Sequence, residues 1–574
     1  MSHRAHLFSL RLAHAFREAC LDERYGGQRL LRDILAGLTV GIIAIPLAMA
    51  LAIASGVAPQ YGLYTAIVAG FVIALTGGSR FSISGPTAAF VVILYPIAQQ
   101  YGLGGLLLAT LMSGVLLVIM ALMRLGRFIE YIPESVTLGF TGGIAVVIAT
   151  LQVPDLFGLS LAGLPEPYWE KLSVLVQGLP TLDAMSTLVA GATLAVMLLW
   201  PRLKTPVPAH LPAVVIGSLL ALLLNAGGAA IDTIGSRFGY LLPDGSMGAG
   251  IPPFLPELAW PWHRPDAVGE PLGLSWSMVR ELLPSAFAIA MLGAIESLLC
   301  AVVLDGMTGR RHSANSELLG QGIGNLVTPF FGGITATAAI ARSAANYRAG
   351  AESPVSAMVH SLVILLALIS LAGILAYLPM PAMAALLVIV AWNMSEAPKA
   401  IHLLKTAPRS DILVFLTCFL LTVILDMVIA ITTGVLLAAV LFMREMALMT
   451  RVTDITDSRR VAGACLPDGW RVFKINGPLF FAAADRVFGE LASLSREARG
   501  FILYMDGVTV LDAGGLSALN KLINVCQRDG TAVVIADLQY QPLKALARAG
   551  VKPIDGVSQF CPSLDEALTS VRNR

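Results

Sequence analysis

Long apolar runs recur along the chain from Ile34 to Phe442, and short polar stretches separate them. A helix of about 20 apolar residues is enough to cross the ~30 Å hydrocarbon core of a bilayer. The pattern therefore predicts a polytopic α-helical membrane protein with fourteen segments, some of them half-length. The predicted spans are 34–54, 60–78, 86–99, 104–123, 132–152, 184–200, 209–226, 279–303, 314–331, 338–347, 354–376, 379–397, 411–425 and 427–446.

Basic residues fall in alternate loops between these segments, which is the pattern expected for loops on the cytoplasmic side of a membrane. The loops on the other side are poor in Lys and Arg, and the two long ones, near 153–183 and 227–278, hold several acidic residues. The distribution predicts that both termini are cytoplasmic. The basic residues of the cytoplasmic loops are Arg80, Arg124, Arg127, Arg202, Lys204, Arg310, Arg311, Arg348, Lys399, Lys405 and Arg409.

The first seven segments and the second seven place their features at similar offsets, about 34–226 in one half and 279–446 in the other. Because each half crosses the membrane an odd number of times, the two halves have opposite orientations. Inverted repeats of this kind are typical of secondary transporters. The symmetry is positional, since sequence identity between the halves is slight.

Each half contains one short interruption in a corresponding place, at 84–89 (SGPTAA) and 336–343 (ATAAIARS). Pro86 fits the start of a helix, and a Gly before it lets other backbone approach. Paired broken helices indicate a binding site, and their free N–H groups and positive dipole ends favour an anion. We expect the amides of Thr87 and Ala88 to face those of Ala338, Ala339 and Ile340 across a central cavity. The other interpretation is that Gly-Pro kinks an ordinary spanning helix.

Arg342 and Glu296 are charged residues inside predicted segments, where charge is costly and usually functional. Arg342 can add positive potential behind the second half-helix, or it can form a structural salt bridge with a carboxylate. Glu296 lies midway along segment 8, where a carboxylate away from water can take up a proton near neutral pH. It is a candidate proton carrier, or else a fixed counter-charge for Arg342. We interpret Glu317, Gln321 and Asn325 as helix caps and interhelix hydrogen bonds.

The composition changes after Arg451, where short apolar strands alternate with helical stretches. This alternation predicts a small α/β domain over 455–574, following the transporter domain at 34–448. Residues 1–33 are rich in Arg and His and have no signal-peptide pattern. We interpret 7–31 as a cytoplasmic or interfacial helix.

The composition agrees with a membrane protein, since 56% of residues are hydrophobic, 13% are charged and the mean hydropathy is +0.77. A net charge of +1 gives no indication of nucleic-acid binding. No phosphate-binding loop, zinc motif or nucleophile elbow is found in the sequence. We therefore expect no enzyme activity, no catalytic residues, no cofactor and no metal site.

Several motifs, taken together, resemble those of the sulfate permease (SulP) family of anion transporters, and the resemblance runs from about residue 32 to 568. Within the family, 42–52 (IIAIPLAMALA) and 334–342 (ITATAAIAR) are most similar to the enterobacterial four-carbon (C4) dicarboxylic acid transporters. The motifs that carry the family resemblance are 33–37 (DILAG), 59–64 (PQYGLY), 78–80 (GSR), 84–88 (SGPTA), 315–318 (NSEL), 321–325 (QGIGN) and 341–346 (ARSAAN).

The resemblance implies a seven-plus-seven inverted repeat divided into a core and a gate domain, with substrate held between segments 1, 3, 8 and 10. It also implies an elevator-like motion, a homodimer, and a C-terminal sulfate transporter and anti-sigma-factor antagonist (STAS) domain that docks a cytoplasmic protein such as acyl carrier protein. Carried over by position, the substrate site is Pro46, Leu47, Thr87, Ala88, Ala338, Ala339, Ile340 and Arg342, with Glu296 for proton coupling.

Two positions depart from patterns common in the family. Many sulfate permeases have Gln after the segment 1 proline, whereas this chain has Leu47, which weakens the expectation of sulfate. Phosphorylatable antagonist domains have a Ser-Ser pair after Asp, whereas Asp512 is followed by Ala and Gly. We therefore expect no serine-phosphorylation switch in the STAS domain.

We expect uptake of C4-dicarboxylates such as succinate, fumarate or aspartate, with protons, across a bacterial inner membrane. Two facing helix N-termini and Arg342 suit a compact dianion. Backbone amides bind anions generically, so sulfate, bicarbonate or another small anion is the alternative substrate within the same fold. A membrane-anchored regulatory scaffold is a third hypothesis, but a pure scaffold has no need of Glu296 and Arg342 in the membrane.

Overall fold

The structure is a computed structural model of the chain, and it describes residues 10–161, 163–165, 167–203, 205, 207–242, 246–425, 427–462 and 466–573. It divides into two compact units, Met1–Val435 and Leu436–Arg574. The boundary falls within the helix Met427–Met449. The first unit is helical apart from two short strand pairs, and the second is an α/β domain.

The long helices up to this boundary are numbered α1 to α15 in chain order. They are Gly27–Ala54, Pro59–Thr76, Val91–Leu122, Glu134–Phe157, Tyr168–Gly178, Ala184–Leu199, His210–Ala226, Trp276–Thr308, Ala314–Val327, Ile340–Arg348, Val355–Leu375, Met380–Met394, Ala397–Thr406, Arg409–Ile424 and Met427–Met449. The strands are β1 (Ser84–Gly85), β2 (Gly239–Leu241), β3 (Met247–Ala249) and β4 (Thr337–Ala338).

Each of the fourteen predicted segments coincides with helix, so the predicted class of helical membrane protein is confirmed. Within the described residues, nine helices have the length and composition to cross a membrane, and the remaining predicted segments are shorter helices. Segments 3 and 4 form one helix, α3, which is broken at Gly102 by a left-handed φ of 67°. A side chain there would collide with the backbone of Asp266, because the segment that leads into α8 packs against this joint.

The helices of the first unit pack into two groups. The core group consists of α1, α2, α3 and α8 to α11, in which α1 packs on α11 and α3 packs on α8 and α9. The gate group contains α4, α6, α7, α12 and α14, in which α4 packs on α12 and α14. Small residues permit the closest contacts: a Cβ on Gly62 of α2 would lie 2.0 Å from the carbonyl oxygen of Ala48 in α1.

The N-terminal segment differs from the prediction of one helix over 7–31, of which residues 7–9 lie outside the described residues. A helical stretch over His14–Asp22 ends at Glu23, which is extended, and α1 begins four residues later at Gly27. The stretch lies against the core group: the amides of Ala13 and Ala15 donate to the carbonyl oxygens of Thr76 and Gly77. We call residues 11–29 the N-terminal clasp.

The second unit contains a five-stranded sheet in the order β5-β6-β7-β8-β9, parallel except for β5. Three helices cover the face that carries Phe473, Leu503 and Ile535, and the C-terminal helix covers the other face. The strands are Arg451–Asp454, Trp470–Asn476, Gly500–Gly507, Ala532–Ala536 and Ser558–Cys561, and the helices α16 to α19 are Phe481–Ser493, Ala513–Asp529, Tyr540–Arg548 and Leu564–Arg572.

The predicted strand-helix alternation in this unit agrees with the structure. The edge strands β5 and β9 were not predicted, because each is only four residues long. Asp512 caps α17 by accepting a hydrogen bond from the amide of Gly515. A Cβ on Gly514 would lie 2.7 Å from Cα of Phe481, so this turn has little room for a side chain at that position.

Candidate functional site

The two interruptions predicted from the sequence lie side by side within the core group. Strands β1 and β4 pair antiparallel, with Ser84 opposite Ala338 and Gly85 opposite Thr337. Each strand leads directly into a helix, so two helix N-termini start from one strand pair. Helix N-termini carry unpaired N–H groups and the positive end of the helix dipole, and here two of them converge.

The first helix begins with a 3₁₀ turn over Ala88–Phe90 that continues into α3. Its start is two residues later than the predicted start at Pro86. Thr87 is extended, with φ −128° and ψ 156°, and it occupies the N-cap position. The amides of Thr87 and Ala88 precede the first bond of the helix, as a substrate-binding role requires.

The second helix, α10, is nine residues long. Its first intrahelical bond runs from the amide of Ser343 to the carbonyl of Ala339 at 2.9 Å. The amides of Ile340, Ala341 and Arg342 therefore have no partner within the helix. The amide of Ala339 was expected to face the cavity, but it donates to the carbonyl of Ile83 at 3.0 Å, because β4 uses it to pair with the chain leading into β1.

The side chain of Arg342 reaches across from the second helix to the first. It is 4% exposed, and its Nη2 donates to the carbonyl oxygen of Pro86 at 2.6 Å. That carbonyl belongs to the same peptide group as the amide of Thr87, and a hydrogen bond to a peptide oxygen polarises its N–H. Among the described residues, Nε and Nη1 of Arg342 have no hydrogen-bond partner.

Gly85 allows this approach, since a Cβ on it would lie 3.0 Å from Nη1 of Arg342. No carboxylate lies within ion-pair distance of Arg342 in the described part of the chain, so the salt-bridge alternative finds no support. The guanidinium therefore adds positive potential behind the first helix N-terminus.

Glu296 lies on α8, beside the first interruption, and is half-buried. Its Oε2 accepts a hydrogen bond from the hydroxyl of Thr87 at 3.0 Å. One turn of α8 away, the carbonyl of Gly293 accepts a bond from the hydroxyl of Thr337 in β4. A carboxylate thus contacts the same residue whose amide is polarised by Arg342.

The two predicted residues of segment 1 lie within α1, which runs through Pro46 without interruption. Pro46 is buried and Leu47 is half-buried. Helix α1 contacts α3 of the core group and α4 and α12 of the gate group. The 3₁₀ turn after Thr87 also contacts α4 and α12, so the candidate site lies where the two groups meet.

A polar network on α9 fixes the strands from behind. Glu317 accepts from the amides of Gly78 and Ser79, and Gln321 donates to the hydroxyl of Ser84 at 3.0 Å. Asn325 forms two hydrogen bonds with the backbone of Ala336, before β4. These residues have the structural role expected of them, and they connect the second repeat to the first.

Three hydroxyls that the sequence analysis did not single out also support the site. Ser343 accepts from the amide of Ile83 at 2.9 Å, and the hydroxyls of Ser297 and Thr337 lie 2.6 Å apart. Isolated Ser and Thr residues in apolar segments mostly bond to their own helix, so no local signal distinguishes these three.

Comparison with protein families gives two matches. The model of the sulfate permease family matches residues 30–418, and the model of the STAS domain matches residues 465–567. A putative sulfate transporter, YvdB of Bacillus subtilis, is 38% identical over 543 residues, covering 94% of this chain and 98% of its own. The bicarbonate transporter BicA of Picosynechococcus sp. is 28% identical over 483 residues, covering 80% of this chain and 80% of its own.

Solved structures show the same architecture. The transmembrane domain of a cyanobacterial bicarbonate transporter, BicA, has a TM-score of 0.60 at 26% identity, covering 71% of this chain and 98% of that one. Murine Slc26a9, an anion transporter solved in an inward-facing state, has a TM-score of 0.83 at 18% identity, covering 100% of this chain and 96% of its own. At that identity, the second similarity concerns the fold alone.

Proposed function

The chain belongs to the sulfate permease family, and from this premise we propose that it takes up C4-dicarboxylates such as succinate, fumarate and aspartate by secondary active transport. The observation that carries the proposal is the pairing of β1 with β4, with the buried Arg342 guanidinium against Pro86. Two helix N-termini and one buried cation that forms no ion pair with any described residue suit a compact anion with two acidic groups. The similarity of 42–52 and 334–342 to the enterobacterial C4-dicarboxylate transporters supports this substrate class.

We further propose that protons drive uptake through Glu296. This proposal is supported by the hydrogen bond between Glu296 and Thr87, whose amide is a proposed donor to substrate. Proton uptake and anion binding at adjacent atoms are thermodynamically linked, and each favours the other. The core group then carries both across the membrane against the gate group in an elevator-like motion.

The first test is uptake of radiolabelled fumarate into proteoliposomes, with and without an inward proton gradient, in the presence of excess unlabelled sulfate. Uptake that the gradient stimulates and sulfate fails to block supports a proton–dicarboxylate symporter. Absence of fumarate uptake by protein that transports another anion rejects the substrate class and leaves the transporter fold intact.

The role of Glu296 has a separate test. Glu296→Gln keeps the size of the side chain and an oxygen that accepts from Thr87, but it cannot exchange a proton. We expect gradient-driven accumulation to be lost while exchange of internal for external substrate persists. Unchanged gradient-driven accumulation in this variant rejects the assignment.

Bicarbonate is the second candidate substrate, and sulfate the third. The similarity to a bicarbonate transporter over 80% of the chain favours bicarbonate, and the putative sulfate transporter YvdB favours sulfate. Leu47 has no polar group to offer sulfate at the position where many sulfate permeases have Gln. Competition of unlabelled bicarbonate and sulfate with fumarate uptake ranks the three anions.

We propose a bacterial inner membrane setting with both termini in the cytoplasm, where the basic loops lie. We also propose a homodimer whose STAS domain docks a cytoplasmic protein such as acyl carrier protein. A variant that ends at residue 454 tests the role of the STAS domain. We expect at least part of the uptake to survive its removal, and complete loss in properly assembled protein contradicts this expectation.

A further inference from the structure

A polar cavity lies in the first unit at the end of the bundle where α1 ends. Its volume is about 680 Å³, and both groups line it, α1 and α3 from the core and α4, α6 and α12 from the gate. The α1 residues that line it include Ile53, six residues beyond Leu47, which is roughly 9 Å along a helix. The cavity therefore lies beyond the candidate site, along the boundary between the two groups.

The side chain of Gln152 on α4 borders this cavity and is 4% exposed. None of the described residues provides it with a hydrogen-bond partner. Buried amides are nearly always paired, and this one offers two N–H donors and a carbonyl oxygen to whatever enters the cavity. Gln152 therefore presents its amide to water or to a polar ligand that enters the cavity.

The charged side chains that line the cavity have one predominant sign. The described residues that line the cavity include three carboxylates, Asp155, Asp183 and Asp232, and one cation, Arg237. Their net charge is −2. Arg237 forms an ion pair with Asp155. The hydroxyl of Ser186 lowers the pKa of the Asp183 carboxyl, so that group stays ionised.

Helix ends do not offset this charge. The C-terminal ends of α1 and α4 and the N-terminal ends of α6 and α12 all line the cavity, so two negative dipole ends meet two positive ones. An adjoining cavity of about 610 Å³ shares Tyr95 and Gln99 with the first. The charged residue that it adds among the described residues is Glu170, which again is acidic.

We propose that this cavity is an outer vestibule that admits monovalent carboxylate anions, with Gln152 as their hydrogen-bond donor, and that its carboxylates discriminate against dianions. The inference rests on the proposed uptake of small anions, for which the end of the bundle away from the basic loops is the outer one. A cleft with walls of one sign imposes a potential on every ion that enters it. The electrostatic cost scales with ionic charge, so a dianion meets twice the free energy that a monoanion does.

This arrangement gives the vestibule a part in choosing the transported species. Sulfate stays divalent at physiological pH, whereas a dicarboxylate can enter as its monoprotonated form and bicarbonate is already monovalent. Repulsion of the wrong partner is a common source of specificity. The vestibule therefore favours substrates that enter as monoanions, either carboxylates or bicarbonate.

Two substitutions change the vestibule charge in opposite directions. Asp232→Asn removes one negative charge from an exposed side chain, and Arg237→Gln removes the cation. The probes are fumarate, a dianion, measured as the Michaelis constant of uptake, and monomethyl fumarate, a monoanion, measured as the inhibition constant of the same uptake. Glu270→Gln is the matched control, since Glu270 is an exposed carboxylate in the same connecting segment that does not line the cavity.

For Asp232→Asn we expect the constant for monomethyl fumarate to fall about 2-fold and that for fumarate about 4-fold, since the second factor is the square of the first. Arg237→Gln should raise both constants, again with the larger change for fumarate. High salt should reduce all four changes. Equal changes for the two probes, or the same changes in Glu270→Gln, overturn the charge-selection role.

Gln152→Leu tests the donor separately. We expect it to raise both constants by about the same factor, roughly 10-fold for a lost hydrogen bond to a charged group, with maximal velocity unchanged. Unchanged constants for both probes in a correctly folded variant reject the donor role. If wild-type protein takes up no fumarate, the substrate proposal fails by itself. The charge variants are then measured with labelled sulfate as the dianion and bicarbonate as the monoanion.

Discussion

The two interruptions in the membrane region have matching backbones but different side-chain chemistry. Each is a two-residue strand followed by the start of a helix, and the strands pair with one another. The first, at Ser84–Gly85, contains no charged residue and leads into a long helix, whereas the second leads into a nine-residue helix that carries Arg342. Arg342 serves both interruptions, because it contacts the carbonyl of Pro86 in the first one.

This difference shows that an inverted repeat can duplicate a binding geometry without duplicating its charge. Backbone amides on both sides give the site its shape and a generic preference for anions. The side chains divide the remaining roles: Arg342 polarises the amide of Thr87, and Glu296 contacts the hydroxyl of the same residue. In the proposed function, Thr87 is therefore the residue at which anion binding and proton binding meet.

Removal of the shared cation should have the largest effect. Arg342→Gln leaves both helix N-termini in place but removes the positive charge and the bond to Pro86. A hydrogen bond to a charged group contributes about 1.5–3 kcal/mol, so we expect the Michaelis constant for uptake to rise about 10- to 100-fold. Arg342→Lys keeps the charge but lacks the planar guanidinium. Its Michaelis constant should therefore lie between those of Arg342→Gln and the wild type. Equal affinity in all three proteins contradicts the role given to the guanidinium.

Displacement of the cation should have a smaller effect than its removal. Gly85→Ala puts a methyl group 3.0 Å from Nη1 of Arg342, closer than a comfortable contact, so the guanidinium has to shift away from Pro86. We expect the Michaelis constant to rise about 3- to 10-fold, because the hydrogen bond is weakened rather than lost. Gly293→Ala is the matched control, since its nearest neighbour would be Cζ of Phe90 at an ordinary 3.5 Å. An equal rise of the Michaelis constant in both variants indicates that the core group is sensitive to any added volume, and contradicts the specific role of the Arg342 position.

The positions of both interruptions could be predicted from the sequence, because hydropathy, the Gly-Pro pair at 85–86 and the Gly-Gly pair at 332–333 are local properties of the chain. The predicted helices and the inverted arrangement agree with the structure for the same reason. Which backbone amides remain without a partner in the protein could not be predicted from the sequence. Whether Ala339 donates to substrate or to Ile83 depends on a strand pair between residues that lie more than 250 positions apart.

Other features escaped prediction for related reasons. The break between the N-terminal stretch and α1 and the joint at Gly102 both depend on contacts with distant parts of the chain. The partners of Glu23 are three arginines, of which Arg29 is close in sequence and Arg80 and Arg310 are distant. A pattern based on neighbouring residues detects amphipathic helices, but not pairings of this kind.

The hydroxyl of Thr87 offers a finer test of where the two functions meet. Thr87→Val keeps the shape of the side chain and the backbone amide but removes the donor to Glu296. We expect gradient-stimulated uptake to fall about 3- to 10-fold, from the loss of one hydrogen bond to a charged group, with less change in substrate exchange. Thr87→Ser should restore stimulation, since it retains the hydroxyl. A loss in the serine variant as large as in the valine variant points to packing instead of the hydrogen bond.

The smallest effect should come from the N-terminal clasp, which holds the polar ends of the core group in both repeats without contacting the site. Glu23 accepts from Arg80 and Arg310 at 2.7 Å each, and these belong to different repeats. Glu23→Gln should increase amide hydrogen exchange over residues 13–22 and change uptake by less than about 2-fold. The reason is that partly exposed ion pairs contribute only about 0.2–1 kcal/mol each. Unchanged exchange contradicts a role for Glu23 in holding the clasp.

Acid titration of the wild-type protein tests the same role of Glu23, and the pKa of this residue fixes the direction of the expected change in stability. The hydrogen bond from Arg80 lowers the pKa of Glu23 to about 2. Because this is below the value of about 4.3 for an unfolded Glu, the stabilisation is fully present above pH ~4.3 and declines as the pH falls toward 2. The protection of the clasp amides from hydrogen exchange should therefore fall in acid in the wild type. In Glu23→Gln, the share of this protection that depends on the Glu23 charge should be absent already at neutral pH. The clasp therefore lies apart from the proposed substrate site, whose two charged side chains are Arg342 and Glu296.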